Sequence, residues 1–349
     1  MKKKVLLFVL IVLMVPAMMI CAKGNQEKGA TAETRKTNSY HFIIVNNLAT
    51  MAHFNPDYEG AQLACEEIGA LTGDEVSFEI VGPAENDILK SAQAMEQAIA
   101  KRPDGFAVVC WDAEVMVTPI NKAMDAGIPV ITIDADAPNS KRISYIGTDW
   151  YTLGIELGNA LVREIDGKGK VAMLGIVGAD NMETAFDGFR SVVDDYPQVE
   201  VVALEDDAGQ DSIAAEKAAA ILQAHPDLAG FAGFGVASGP GISVAVREAG
   251  KVGEVKVVGN DLNTAQIKNL EDGVEQFVLG QKRVFFGYYG ILMLYLHNTT
   301  SLSFTSDDEA AGITNIPPRI ITGFLRATPE NIDLFKESFE KWDKPKKWR

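Results

Sequence analysis

Cysteine and histidine are scarce in this chain. The three cysteines, Cys21, Cys65 and Cys110, are too few and too dispersed over 349 residues to form a disulfide scaffold. Cys65 falls in a helical pattern and Cys110 ends an apolar strand run, so both read as buried thiols. No cysteine spacing suggests zinc, and among His41, His53, His225 and His297 no two stand close enough for a metal pair. Basic charge is short as well. With 32 Lys and Arg against 48 Asp and Glu, the formal net charge is -16. That balance argues against nucleic acid or anionic lipid as the main partner and suits a dispersed, soluble protein.

Catalytic signatures are missing too. There is no G-x-S-x-G elbow and no Ser/His/Asp arrangement. The first strand is followed by VNNLAT where a dinucleotide-binding protein carries G-x-G-x-x-G. FGVASGPG (234–241) is glycine-rich and precedes a helix, but it lacks the Lys-Ser/Thr ending of a nucleotide loop. The expectation is a protein without cofactor or metal that is not an enzyme.

The longest uncharged apolar run lies at the start. In residues 1–21, MKKKVLLFVLIVLMVPAMMIC, three lysines precede it, the layout of a secretory signal. Cys21 stands where a bacterial lipoprotein carries its lipidated cysteine, although Ile20 replaces the usual small residue before it. Cleavage after Ala22 and a retained anchor are the rival readings, and all three place residues 40 onward outside the cytoplasm. Residues 22–39 read as a polar tether.

With 47% hydrophobic and 23% charged residues, the remainder has an ordinary globular balance and length for two domains. From His41 onward, strand-like runs alternate with amphipathic stretches. HFIIVN (41–46), VSFEIV (76–81), GFAVVC (105–110) and IPVITID (128–134) are separated by helical patterns. The alternation restarts after SYIGTD (144–149) with KVAMLGI (170–176), VEVVALE (199–205), GFAGF (230–234), VKVVGN (255–260) and EQFVLG (275–280). This implies two doubly wound α/β units with parallel sheets covered on both faces. The expected boundaries are residues 40–147 plus 282–303 for one domain and 148–281 plus 304–328 for the other. The 329–349 stretch should be a short helix with a loose, charged end.

Ligands of open α/β sheets bind outside the carboxyl ends of the strands. Those ends carry His53 and Phe54, Trp111, Asp134 and Asp136 in the first unit. The second unit contributes Asn181, Asp261 and Gln281. Carboxylates, amides and aromatic faces suit the hydroxyls and C–H faces of a polyhydroxylated ligand. Taken singly, Asp261 also reads as a helix cap, and Phe54 and Trp111 as core.

The markers EGAQLACEEIG, NKAMDAGIPVITIDADAP, YIGTDWYTLGIELG, FDGFR, QAHPDLAGFAGFG, KVVGNDL and VLGQKR occur in the order seen in one family. Over residues 40–330 the chain resembles the periplasmic sugar-binding proteins of bacterial ABC importers, the ribose- and galactose-binding type. The resemblance implies a type I periplasmic binding fold hinged by three crossings, near 147–148, 280–281 and 301–305, closing on a small sugar for a membrane permease. It implies an aromatic stack at Phe54 beside His53, hydroxyl acceptors at Asp134 and Asp261, and an amide at Gln281. Ala135, Glu183 or Ala185, and Gly235 stand where such proteins usually carry two arginines and an Asn or Asp. A second aromatic is missing near Gly209, with Trp150 and Phe234 the candidates to replace it. The expected pocket is therefore short of donors and rich in acceptors, suited to a neutral sugar or polyol rather than an anion. A sugar receptor for signalling, or a binder of another polar or cationic solute, is the alternative.

Overall fold

The computed structural model describes residues 37–308, 310–342 and 344, so Cys21 and the signal-like segment lie outside the described residues. The first unit runs β1 (Ser39–Val45), α1 (Asn55–Thr72), β2 (Glu75–Val81), α2 (Ile88–Ile99), β3 (Gly105–Val108), α3 (Ala113–Asp125), β4 (Val130–Asp134) and β5 (Ser144–Gly147). The second begins with α4 (Trp150–Glu164), β6 (Gly169–Gly175), α5 (Asp180–Val193), β7 (Val199–Asp206) and α6 (Asp211–Ala224). It continues with β8 (Leu228–Gly233), α7 (Ser238–Glu248), β9 (Lys256–Asn260), α8 (Thr264–Glu271) and β10 (Phe277–Gln281). The chain ends with α9 (Val284–Thr299), β11 (Arg319–Ile321), β12 (Phe324–Ala327) and α10 (Lys336–Trp342).

Two six-stranded sheets result, ordered β11-β5-β4-β3-β1-β2 and β12-β10-β9-β8-β6-β7. Every pairing is parallel except β10 with β12. Central strands are apolar on both faces, as helix-covered parallel strands must be: Phe42, Ile43, Ile44 and Val45 are all fully buried. α9 is apolar nearly all round because it packs on the first sheet under α1, with Phe286, Ile291 and Leu294 in that core. Cys110 is buried and Cys65 half-buried, and burial pushes the Cys65 thiol up to about 12.

Strands on either side show where the chain passes between sheets. β5 leads to α4 after Gly147, and β10 leads to α9 after Gln281. The third passage is at Thr322–Gly323 and not at 301–305 as expected. RIITGF reads as one strand, yet Gly323 takes φ 72° and splits it. β11 joins the first sheet beside β5, and β12 joins the second beside β10. The intervening segment stays with the first sheet: Ile316 is buried in its core and the Ser144 hydroxyl donates to the Pro317 carbonyl at 2.7 Å. The three passages are tied together. Thr148 Oγ1 donates to Gln281 Oε1 at 2.6 Å, and the Thr322 amide donates to the Gly147 carbonyl at 3.1 Å. One smaller expectation also shifts: Ser39 already pairs with Glu75 in β1 rather than ending a tether. The short helix expected in the final stretch is α10, which docks through Trp342, while most of the charged end beyond it lies outside the described residues.

Each domain brings two helices into backbone contact through glycine. A Cβ on Gly287 of α9 would lie 1.7 Å from the Asp57 carbonyl of α1, and one on Gly60 would lie 1.8 Å from the Val284 carbonyl. In the second domain, Gly154 and Gly188 play the same part between α4 and α5. The α1–α9 crossing places Asp57 beside the start of α9, a consequence used below. Gly287→Ala should therefore lose about 1–3 kcal/mol by overpacking, against the ~1 kcal/mol that alanine gains in an open helix. Denaturant unfolding checks this, and a variant as stable as wild type would contradict the close crossing.

Candidate functional site

The fourth strand of each domain ends in the same way. Asp134 closes β4 with φ 65°, and Asp261 follows β9 with φ 63°. A left-handed conformation is uncommon for a residue with a Cβ, and Asp tolerates it better than most. Asp261 does not cap α8; Asn263 does, accepting from the Gln266 amide at 3.0 Å. Asp261 Oδ1 instead accepts from Gln281 Nε2 at 2.7 Å, which joins two strand ends of the second sheet at the crossing. The Asp134 carbonyl is held by the Tyr145 hydroxyl at 2.8 Å.

Arg283, in the loop between β10 and α9, is buried among these groups. Its Nη2 donates to Asp57 at 2.7 Å and its Nη1 to Asp134 at 3.1 Å. The guanidinium carbon lies 4.8 Å from the centre of the Phe54 ring. Burial works against the charged form of Arg283, but the carboxylates of Asp134 and Asp57 outweigh it and hold its pKa above the usual value. Burial pushes Asp57 up to about 7 despite Arg283, and Asp261 up to about 6 despite the Gln281 hydrogen bond. Burial, reinforced by Arg283, keeps His53 well below the ordinary imidazole value, so it is neutral at pH 7.

Two cavities flank this cluster. The first, about 640 Å³, is lined by His53, Asp261, Gln281, Arg283, Phe285 and Trp342 among others. The second, about 610 Å³, is lined by Trp111, Asp136, Asn181, Trp150, Tyr151 and Arg319 among others. Both draw residues from both sheets. The eight residues expected at the site thus divide. His53, Asp261 and Gln281 share the first cavity, and Trp111, Asp136 and Asn181 the second. Phe54 and Asp134 are buried and belong to the layer between them, with Phe54 touching His53 on one side (ring centres 5.3 Å apart) and Trp111 on the other (5.9 Å).

Two arginines lie near the site, away from the positions first considered. Arg283 supplies a fork two residues past Gln281. Arg142 grips both oxygens of Asp136, which also accepts from Thr132 Oγ1 at 2.6 Å. Asp136 is therefore a neutralised structural carboxylate and not a spare acceptor. Glu183 is likewise engaged, by the Gly178 amide at 2.7 Å. Phe234 does not replace the missing aromatic, because it is fully buried against Phe186 with ring centres 4.9 Å apart. Trp150 does line the second cavity. Arg283 had a readable signal: it is the charge that directly abuts the apolar run VFFGYYG, where the helix dipole disfavours a cation. Such a charge requires a carboxylate nearby.

Comparison with known proteins agrees with this architecture. Residues 42–299 match the model of the periplasmic binding protein domain. A xylose/arabinose-binding protein from Sulfolobus acidocaldarius is 26% identical over 275 residues, covering 74% of this chain and 66% of that protein. A D-ribose/D-allose-binding protein from Pseudomonas aeruginosa is 27% identical over 260 residues, covering 70% of this chain and 79% of that one. The crystal structure of a glucose-galactose binding protein from Geobacillus stearothermophilus superposes with a TM-score of 0.74 at 27% identity, covering 84% of this chain and 99% of that one. Two parallel-sheet domains, three crossings between them and polar strand ends facing shared cavities accompany a family match over most of the chain, which belongs to the periplasmic binding protein family.

Proposed function

We propose that this chain is the extracytoplasmic sugar-binding component of an ABC importer and holds a small neutral sugar in the first cavity. The observation that carries this reading is the meeting there of His53 from one domain, Asp261 from the other and Gln281 at the crossing between them, beside Arg283. A ligand touching all four favours the closed arrangement of the domains, which is the form a permease then recognises. Of the three carboxylates that line the second cavity, Asp136, Asp149 and Asp180, two are already engaged. Arg142 holds Asp136, and Asp149 caps α4. In the first cavity, Gln281 holds one oxygen of Asp261 and leaves the other for a ligand hydroxyl.

The charge balance supports a neutral ligand, for a different reason from the one composition suggested. Arg283 is present, but Asp57, Asp134 and Asp261 surround it, so an anionic sugar acid or phosphate meets excess negative charge. The relatives named above are sugar binders, which favours a sugar over a polyamine or another cation. Nothing in the site calls for turnover: its acceptors are arranged to hold hydroxyls, and the protein acts by binding and release. At the N-terminus, Cys21 is proposed as the lipid attachment point that keeps the protein at the outer face of the membrane.

Two outcomes test this reading. A thermal-shift panel of pentoses, hexoses, polyols and polyamines should return a sugar that raises the melting temperature; a shift by polyamines alone would contradict it. Asp261→Asn should bind that sugar at least tenfold more weakly. Because the folded pKa of Asp261 is raised to about 6, its protonated form contributes stability below about pH 4 that is lost as pH rises through about 6. Without ligand, the variant should therefore gain on wild type in melting temperature between those values, and a pH-independent difference would contradict the buried carboxyl. Separately, metabolic labelling with palmitate should mark the full-length protein and not Cys21→Ala; equal labelling of both would exclude Cys21 as the anchor.

A further inference from the structure

The C-terminal helix α10 spans the two domains at the mouth of the first cavity. On the second domain, Phe335 and Phe339 pack against a buried cluster that includes Leu262, Ile267 and Leu270, and Lys336 pairs with Glu271 of α8. On the first domain, its far end is held by α1. Asn55 Nδ2 donates to the carbonyls of Trp342 at 2.6 Å and Lys344 at 3.2 Å. Glu59 pairs with Lys341 and accepts from Trp342 Nε1 at 3.2 Å. The last carbonyls of a helix have no intrahelical partner, and Asn55 caps α10 from the opposite domain.

Phe339 and Trp342 form an edge-to-face pair with ring centres 5.1 Å apart, and both line the cavity with His53, Asp261 and Arg283. Phe54, the aromatic assigned to sugar stacking by resemblance, is fully buried with the guanidinium of Arg283 against its ring. Its face is already covered by the chain's own cation. Sugar rings present C–H faces that need an aromatic surface, and α10 supplies one on the outer wall.

We propose that Trp342 and Phe339 are ligand-contacting, specificity-determining residues. The C-terminal helix replaces Phe54 as the aromatic wall of the sugar site and latches the closed domains through Asn55 and Glu59. This rests on the reading that the first cavity holds a sugar. The wall is complete only when the domains are closed, because its anchor lies on the second domain and its latch on the first.

The test uses the full chain and the sugar among D-ribose, D-xylose, D-arabinose, D-allose and D-galactose that gives the largest thermal shift. Titration calorimetry and stopped-flow fluorescence then compare wild type, Trp342→Ala, Trp342→Phe and Glu59→Ala. Trp342→Ala should weaken binding roughly five- to tenfold, the range of one aromatic contact, and Trp342→Phe should restore most of it. Glu59→Ala leaves the aromatic wall intact and removes the contacts to Lys341 and Trp342 Nε1, so it remains informative should Trp342→Ala fold poorly, and it should speed sugar dissociation several-fold. Wild-type affinity in Trp342→Ala together with a wild-type dissociation rate in Glu59→Ala would overturn this proposal alone. A wild-type protein that binds none of these sugars sinks the sugar reading and this proposal with it.

Discussion

The buried guanidinium of Arg283 is the constraint around which the rest of the site is arranged. A charge removed from water is tolerable only with counter-charges and hydrogen bonds close at hand. Asp57 and Asp134 provide them from two elements distant in sequence, at 2.7 and 3.1 Å. That requirement explains several otherwise separate features. α1 and α9 must approach closely enough to bring Asp57 to the head of α9, which the glycines at 60 and 287 permit. Asp134 must turn inward at the end of β4, which its positive φ achieves. The aromatic face of Phe54 then serves as a floor for the cation.

The same cluster lies beside the passages between the two domains. Gln281 precedes Arg283 by two residues and links Thr148 at one passage to Asp261 at the strand end of the second sheet. A ligand that engages Asp261 and Gln281 therefore acts on groups already wired into the hinge. Breaking a buried ion pair by removing one partner typically costs about 3–5 kcal/mol, so the cluster also limits how far the first domain and the crossing can move apart.

Much of this was legible in the sequence. Alternating apolar runs and helical stripes located both sheets, because parallel strands covered on two faces must be apolar throughout. The carboxylates that end the fourth strands, Asp134 and Asp261, were also identifiable from position alone. Pairings that depend on tertiary approach were not. The partners of Arg283 lie 226 and 149 residues away, and no local pattern encodes them. RIITGF has the composition of one strand, and only the left-handed turn at Gly323 reveals two. The short C-terminal helix was legible, but the docking of α10 rests on a capping contact from Asn55, 287 residues before Trp342, which no local pattern encodes. Phe54 is a related case: resemblance implied a surface for sugar and its apolar setting a core residue, and in the fold it is fully buried with the Arg283 guanidinium against its ring.

The most direct test of this account is a crystal structure of the protein with its best-binding sugar. The sugar should lie in the cavity shared by His53, Asp261 and Gln281, with Arg283 still bonded to Asp57 and Asp134. A sugar stacked on Phe54 with Arg283 displaced, or one lodged beside Trp111 and Asn181, would contradict it.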